Sequence, residues 1–385
     1  MHIKPFKACL PELEKISDAE DFFSNAKFTF ADFRKQAQLT STSAENFYVY
    51  RITTGKKFST GLIACADVED YLKGNIKKHE DTIVSNEEKH TALMREHNAV
   101  IKPILLMHDV VDALAGLYDK IIKTQSSILD INLKDTRHQL WAVTNFEDAR
   151  EIKSLFDEKI STTYIADGHH RAASIARLYR ENKNVPMLCA FFSSDDLSIK
   201  PFHRIVTDVN GLTFEELIKK LSNHFEINYL PKKTTIPEKV FPRKKNEFIL
   251  FFEKKVWELN FKKEILIFDP ENFKNKSNQE SGHETRKNFL KERNSITDAK
   301  IFNDKILNDV FGIEDVRNSD KIKYIEGNEP TGKILTECPK QNALFLLYPI
   351  SIKDFKNIVD TAGVLPPKST FFEPRLLNGL INCEL

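Results

Sequence analysis

The residues best suited to chemistry fall within Tyr164–Ile165–Ala166–Asp167–Gly168–His169–His170–Arg171–Ala172–Ala173. A run of strand formers, Thr162 to Ile165, leads into Asp167 and Gly168. Helical spacing follows at once, with Ala172, Ala173, Ile175, Ala176, Leu178 and Tyr179 on one side. Asp167 suits an N-cap, because its carboxylate can accept from the amides of the first turn. Gly168 permits a tight bend and leaves room for a ligand to approach. His169, His170 and Arg171 then occupy the first turn, where free N–H groups and the helix dipole attract anions. Together these features describe a phosphate-binding corner. It holds one glycine and no Gly-Lys-Ser/Thr, so it is neither a Walker loop nor a dinucleotide fingerprint. The plainer reading is a capped helix with solvated polar residues. The density of Asp, two His and Arg around one turn weighs against it.

A second constellation is His79–Glu80. A carboxylate beside an imidazole can act as general base toward a hydroxyl, or can hold Mg²⁺ together with Asp167. The flanking Lys77, Lys78 and Asp81 equally suit a solvated, charged helix end. His203 and Arg204 follow a proline and precede an apolar pair, which suits either a strand start facing a cleft or a strand edge in solvent. His90 and His97 are seven apart on one helix face; that permits metal ligation, two surface histidines being the plainer reading. Lys368, Ser369 and Thr370 suit an anion, or simply the packing of their Pro/Phe-rich segment. Gly-x-Ser-x-Gly and His-Glu-x-x-His are absent, so hydrolase and zincin templates gain no support.

The elements that must position these residues alternate. A short helix is expected near Asp18–Phe23. Phe47–Ile52 and Phe58–Ala66 form a hairpin about Thr53–Lys57, and a short helix runs from Asp67 toward Gly74. Ser85 and Glu88 have the spacing of a capping box for a helix reaching His97. Ile101–Met107 reads as a buried strand interrupted by Lys102 and Pro103. Asp109 can cap the next helix, whose Val110, Val111, Leu114, Leu117, Tyr118, Ile121 and Ile122 repeat at helical spacing. His138–Val143 is a strand, and Thr144 with Glu147 repeats the capping-box spacing. The strand at 161–166, the corner, its helix and the strand Val185–Phe192 make a βαβ-like unit with the corner at the strand's C-terminal end. A boundary is expected near Asn210–Gly211, giving domains 1–210 and 211–385. Beyond it, helices at Leu212–Leu221, Ala299–Phe311 and Ile352–Ala362 accompany strands at Phe225–Tyr229, Phe248–Phe252, Val256–Phe261 and Ala343–Tyr348. Residues 270–288 are polar and read as a mobile loop.

The chain has 385 residues, 41% hydrophobic and 29% charged, including 29 Phe, which describes a packed globular protein of two domains. A net charge of +1 argues against a dedicated nucleic-acid binder. Five scattered cysteines without Cys-x-x-Cys give no zinc cluster or disulfide framework, and point to a reducing cytoplasm. The start, Met-His-Ile-Lys-Pro-Phe-Lys, lacks the apolar core of a signal peptide, and no stretch approaches the roughly 18 apolar residues of a membrane span.

Four runs carry a resemblance: Gly61-Leu-Ile-Ala-Cys-Ala-Asp-Val-Glu-Asp70-Tyr, Ile76-Lys-Lys-His-Glu80, Tyr164-Ile-Ala-Asp-Gly-His-His-Arg171 and Leu365-Pro-Pro-Lys-Ser-Thr-Phe-Phe372. In that order they resemble a widespread bacterial family of uncharacterised proteins. Asp167-Gly168-His169-His170-Arg171 is also similar, more distantly, to the Gly-x-x-Arg box of the ParB/sulfiredoxin superfamily. In the free-serine kinases of that superfamily such a box works with an upstream His-Glu pair, which His79–Glu80 resembles. The resemblance implies a mixed α/β (α+β) fold, with a ParB/sulfiredoxin-like N-terminal domain carrying insertions and a smaller α/β C-terminal domain. It implies phosphoryl transfer to the hydroxyl of free serine, reversible with phosphoserine, from ATP, ADP or pyrophosphate with Mg²⁺. Glu80, with His79, would be the base and Asp167 the metal or acceptor contact. Gly168, His169, His170 and Arg171 would hold the phosphates; apart from the resemblance, His203 and Arg204 are expected, from their own setting, to be weaker substrate contacts. A small-molecule substrate follows from it; the cytoplasmic location is expected from the cysteines and the absence of a signal peptide or span, and a homodimer is allowed for. The alternative is a ParB-like nucleotide-binding regulator with little or no catalysis.

Overall fold

A computed structural model describes residues 1–231, 240–262, 296–339, 342–361 and 363–385. The expected loop at 270–288 lies outside the described residues. The chain divides into two compact units, Met1–Ser198 with Phe372–Leu385, and Ile199–Phe371. Both are mixed α/β, as expected. The division falls at Ser198 and not at 210, because Phe202–Val206 pairs within the second unit's sheet. No described helix is long and apolar enough to cross a membrane.

The first unit begins β1 (Ile3–Lys4), β2 (Ala8–Pro11), α1 (Ala19–Lys35), β3 (Leu39–Ser41), β4 (Tyr48–Thr54) and β5 (Lys57–Ala66). It continues with α2 (Val68–Leu72), β6 (Ile76–Lys77), α3 (Val84–His97), β7 (Ala99–Val100), β8 (Ile104–His108) and α4 (Asp112–Thr124). Then come β9 (Leu129–Leu133), β10 (Thr136–Ala142), α5 (Phe146–Lys159), β11 (Thr163–Asp167), α6 (His169–Glu181) and β12 (Met187–Ser193). A nine-stranded sheet runs β6-β11-β8-β12-β5-β4-β10-β9, with β1 on β5. The chain's last strand, Asn382–Glu384, pairs with β2 and β7 in a separate sheet of the same unit.

The hairpin of β4 and β5 closes as its turn residues predict, with Gly55 at φ 59°. Other expectations shift. α1 does not stop near Phe23, because Phe22, Phe23, Ala26 and Phe30 keep a buried stripe going at helical spacing. Ser85 lies inside the first turn of α3, and α4 starts after Val111, beyond Asp109. Asn145 and not Thr144 caps α5, its Oδ1 accepting from the Glu147 and Asp148 amides at 2.9 and 3.1 Å. Strand β11, α6 and β12 do not form a βαβ unit. Strand β8, buried along its whole length, takes the place between the two strands, parallel to β12 and antiparallel to β11. The C-terminal-edge rule for open parallel sheets therefore does not place the site here.

The second unit is built on a six-stranded sheet, antiparallel throughout. Phe225, Phe248, Phe302 and Phe345 fill its core, and helix Phe214–Ser222 starts with a capping box of Thr213 and Glu216.

Gly61 in β5 is required by packing. A Cβ there would lie 2.4 Å from the Phe191 carbonyl oxygen and 2.6 Å from the Phe192 ring on the neighbouring strand. Gly61→Ala is expected to cost about 1–3 kcal/mol, as overpacking does, read as a lowered urea midpoint with unchanged m-value.

Candidate functional site

Two strand registers assemble the site. Strand β6 pairs in parallel with β11, Ile76 opposite Thr163 and Lys77 opposite Tyr164. Parallel strands leave a sheet at the same edge, so the residues after β6, His79 and Glu80, emerge beside those after β11, Gly168 and His169. The antiparallel register of β11 and β8 sets Asp167 opposite Leu105. Lys102 and Pro103, just ahead of β8, are thereby brought to Asp167.

Gly168 and not Asp167 is the N-cap of α6. Its φ of 107° lies in the region that L side chains avoid, and a Cβ would meet the Arg171 guanidinium at 2.8 Å. That guanidinium folds back over the glycine. Its Nη2 donates to Asp167 Oδ2 at 2.8 Å, and Nη1 donates to the Lys102 carbonyl at 3.0 Å and to that of Pro103. The expected phosphate ligand is thus largely spent on holding the corner together.

Asp167 faces three cations. Besides Arg171, Lys102 Nζ lies 3.4 Å from Oδ2 and Arg375 Nη1 lies 3.4 Å from Oδ1. Burial alone would raise the Asp167 pKa, but Arg171, Lys102 and Arg375 outweigh it and hold the carboxyl well below its usual range. Burial, with Arg171 and Arg375 nearby, brings Lys102 down to about 8 against the pull of Asp167. One carboxylate among three cations leaves the corner electropositive, which suits an anion.

The histidines divide into two pairs. His79 and His169 stand ring to ring, centroids 4.3 Å apart and nearly perpendicular, and the His79 amide donates to His169 Nε2 over a long 3.4 Å. Burial lowers both, His169 to about 4 and His79 well below its ordinary value, so both imidazoles are neutral near pH 7. Glu80 is partly buried; its carboxylate and the two imidazoles supply donor atoms all within 4.8 Å of one another. His170 turns elsewhere. Its Nε2 accepts from the Ile83 amide at 3.2 Å, and its ring lies 6.3 Å from that of His90.

Of the two histidines read as surface residues, His90 is half-buried and His97 is not at the surface. His97 is buried against Phe30, with Nε2 3.2 Å from the Lys27 carbonyl oxygen. His203 and Arg204, expected to face a cleft or solvent, are buried in the second unit's sheet, Arg204 also lining a small cavity there with Lys245, Asp298 and Ser369. His203 Nδ1 accepts from the Leu347 amide at 3.2 Å, and Arg204 donates to the carbonyls of Phe202 and, at 3.0 Å, Lys368. Their apolar neighbours require that burial. The Arg204 guanidinium lies 5.5 Å from the rings of both Phe302 and Tyr324. Ser369 donates to the Pro366 carbonyl at 2.6 Å, so its hydroxyl stabilises the turn of its own segment.

Mg²⁺ at Asp167 does not fit this arrangement. A hard dication seeks several anionic or neutral oxygens, whereas this carboxylate is already neutralised by Lys102, Arg171 and Arg375. Lys102 and Arg375 are the site residues that sequence reasoning passed over. The signal for Lys102 was present: a lysine inside an apolar run. In the same unit, a concavity of about 510 Å³ is lined by Lys4, Asp67, Tyr179 and Lys183 among others, and by none of the corner residues.

Residues 7–295 match the model described as "Protein of unknown function (DUF1015)". The chain belongs to this family. No curated protein matches it. Among solved structures it is similar to SbnI with C-terminal truncation from Staphylococcus aureus, at 12% identity over 82% of this chain and 85% of that one, TM-score 0.39. A free serine kinase in complex with AMP is similar at 15% identity over 83% and 89%, TM-score 0.35. A conserved hypothetical protein from Pyrococcus furiosus is similar at 14% identity over 85% and 95%, TM-score 0.36.

Two outcomes follow from the corner's geometry. Gly168→Ala should destabilise by about 1–3 kcal/mol through the positive φ and the contact with Arg171, read in urea melts. The second concerns pH. His79, His108, His138 and His169 all have pKa values lowered by burial, His138 and His169 to about 4. Between an ordinary histidine value of ~6.5 and about 4, these four histidines bind more protons in the unfolded chain than in the folded one, and they outnumber the buried Asp298 carboxyl, which burial raises to about 7 and which works the other way. Stability should therefore fall as pH drops through that window, and His169→Asn should flatten the slope of urea midpoint against pH.

Proposed function

We propose that this protein is a small-molecule phosphotransferase that carries a phosphoryl group to an alcohol hydroxyl, free serine being the acceptor and ATP, ADP or pyrophosphate the donor. One observation carries the reading: the Glu80 carboxylate lies within 4.8 Å of a donor atom of His169, the first residue of α6, beside an electropositive corner. Phosphoryl transfer asks mainly for positioning and charge neutralisation. The first-turn amides of α6, with Lys102 and Arg375, offset the charge of the donor phosphates. Arg171 acts as a positioning residue, fixing Asp167 and the carbonyls of Lys102 and Pro103. Asp167 in turn keeps Lys102 and Arg375 at the corner. Glu80 takes the hydroxyl proton as the acceptor oxygen bonds to phosphorus and the bond to the leaving phosphate or nucleotide breaks. Magnesium in this reading arrives with the donor's phosphates. The likeness of Asp167–Arg171 to the Gly-x-x-Arg box supports the same assignment of the two halves of the site.

Phosphorus NMR of the purified chain with serine and the magnesium salt of each donor in turn tests this. Phosphoserine should accumulate with at least one donor. Failure with every donor, together with no loss of phosphoserine in the reverse direction, would overturn the proposal. Glu80→Gln should lower kcat by about 10²–10⁴-fold with little change in donor affinity. Lys102→Ala should instead raise the KM for the donor.

A further inference from the structure

His79, Glu80 and His169 each offer one ligand atom, all within 4.8 Å of one another. Among the described residues, no other group of three His, Cys, Asp or Glu meets that spacing. The two imidazoles are buried and the carboxylate is partly exposed, so the cluster has protein on one side and an approach on the other. Its backbone supports are fixed by the parallel pairing of β6 on β11, and not by a long loop.

The donor set discriminates between ions. Two imidazole nitrogens and one carboxylate oxygen suit a borderline dication of the first transition row, whereas Mg²⁺ and Ca²⁺ prefer oxygen throughout. Around such an ion, bound at roughly 2.0–2.2 Å, donors stand about 3.3 Å apart. The partly exposed Glu80 side chain can supply that contraction. The His79 amide contact to His169 Nε2 is 3.4 Å long, a weak hydrogen bond for a coordinate bond to displace. The cations around Asp167 turn a dication away from the neighbouring carboxylate and leave these three residues as the seat.

We propose that His79, Glu80 and His169 bind a single divalent transition-metal ion of the zinc class, with its remaining positions open to water or a substrate oxygen. The site goes beyond the transfer reading and does not depend on it; with the ion bound Glu80 is a ligand, and the base of the transfer reading is the metal-free carboxylate. Three ligands plus an open position is the pattern of a working zinc centre, in contrast to a closed structural one.

The test uses the full chain, freed of metal by dialysis against a chelator and titrated with ZnCl₂, CoCl₂ and MgCl₂ separately. One equivalent of Zn²⁺ should bind, at least about 100-fold tighter than Mg²⁺, and Co²⁺ should give visible absorption bands of low coordination number. Glu80→Gln, His79→Asn and His169→Asn should each weaken Zn²⁺ at least about tenfold. His2→Ala, which removes an exposed histidine paired with Asp157 at 2.8 Å, should change nothing. Glu80→Gln alters only a partly exposed side chain, and its far-UV circular dichroism and urea midpoint report whether it is folded. Zinc binding unchanged in folded Glu80→Gln, absence of saturable binding, or equal affinity for Mg²⁺ would each overturn the site. The transfer assay is independent: zinc binding without phosphoserine would sink the kinase and leave the metal centre standing.

Discussion

The bridge formed by Arg171 is the interaction on which the rest of the corner depends. One guanidinium joins the end of β11, through Asp167, to the backbone just ahead of β8, through the carbonyls of Lys102 and Pro103. A buried cation without partners would be costly, and here the carboxylate and two carbonyls satisfy it. Removing Asp167 would leave Arg171 its two carbonyls but no counter-charge, and removing Arg171 would leave those carbonyls without this donor while Asp167 keeps Lys102 and Arg375. Breaking a buried pair costs more than forming it gains, so loss of either partner should cost stability. Gly168 belongs to the same device, because only a residue without Cβ leaves space for the guanidinium to fold back.

Around that bridge the chemistry separates into two neighbouring environments. On the Asp167 side, Lys102, Arg171 and Arg375 produce a surplus of positive charge. On the His169 side, two imidazoles kept neutral by burial face a carboxylate. One side is suited to hold an anion and the other to accept a proton or ligate an ion. The two share α6, whose first turn provides both His169 and Arg171.

Much of this was readable from residue types, and the limits have physical causes. The hairpin of β4 and β5 followed from its turn residues, and the strand–glycine–helix order of β11 and α6 from the change of hydrophobic period at Asp167. The role of Arg171 was not legible, because a guanidinium at a helix start suits an outside phosphate and an inside carbonyl equally well. The choice was made by Lys102 and Pro103, which sequence distance separates from it and the register of β8 returns to it. His203 and Arg204 misled for a similar reason: a polar pair beside a proline looks exposed, yet Phe302 and Tyr324 enclose the guanidinium. The βαβ expectation failed because local order along the chain carries no information about which strand will lie between two others.

The order of the chain has one more consequence, for synthesis. Arg375 and the strand Asn382–Glu384 belong to the first unit, yet they follow the whole of the second unit in sequence. A chain growing from its N-terminus therefore exposes the edges of β2 and β7, and carries an unfinished charge cluster at Asp167, until residues 375–384 have been made. The second unit, continuous in sequence, can fold while the first still waits. A chain truncated just before Arg375 would thus carry the whole sequence of the later-encoded unit and lack the last strand of the earlier-encoded one.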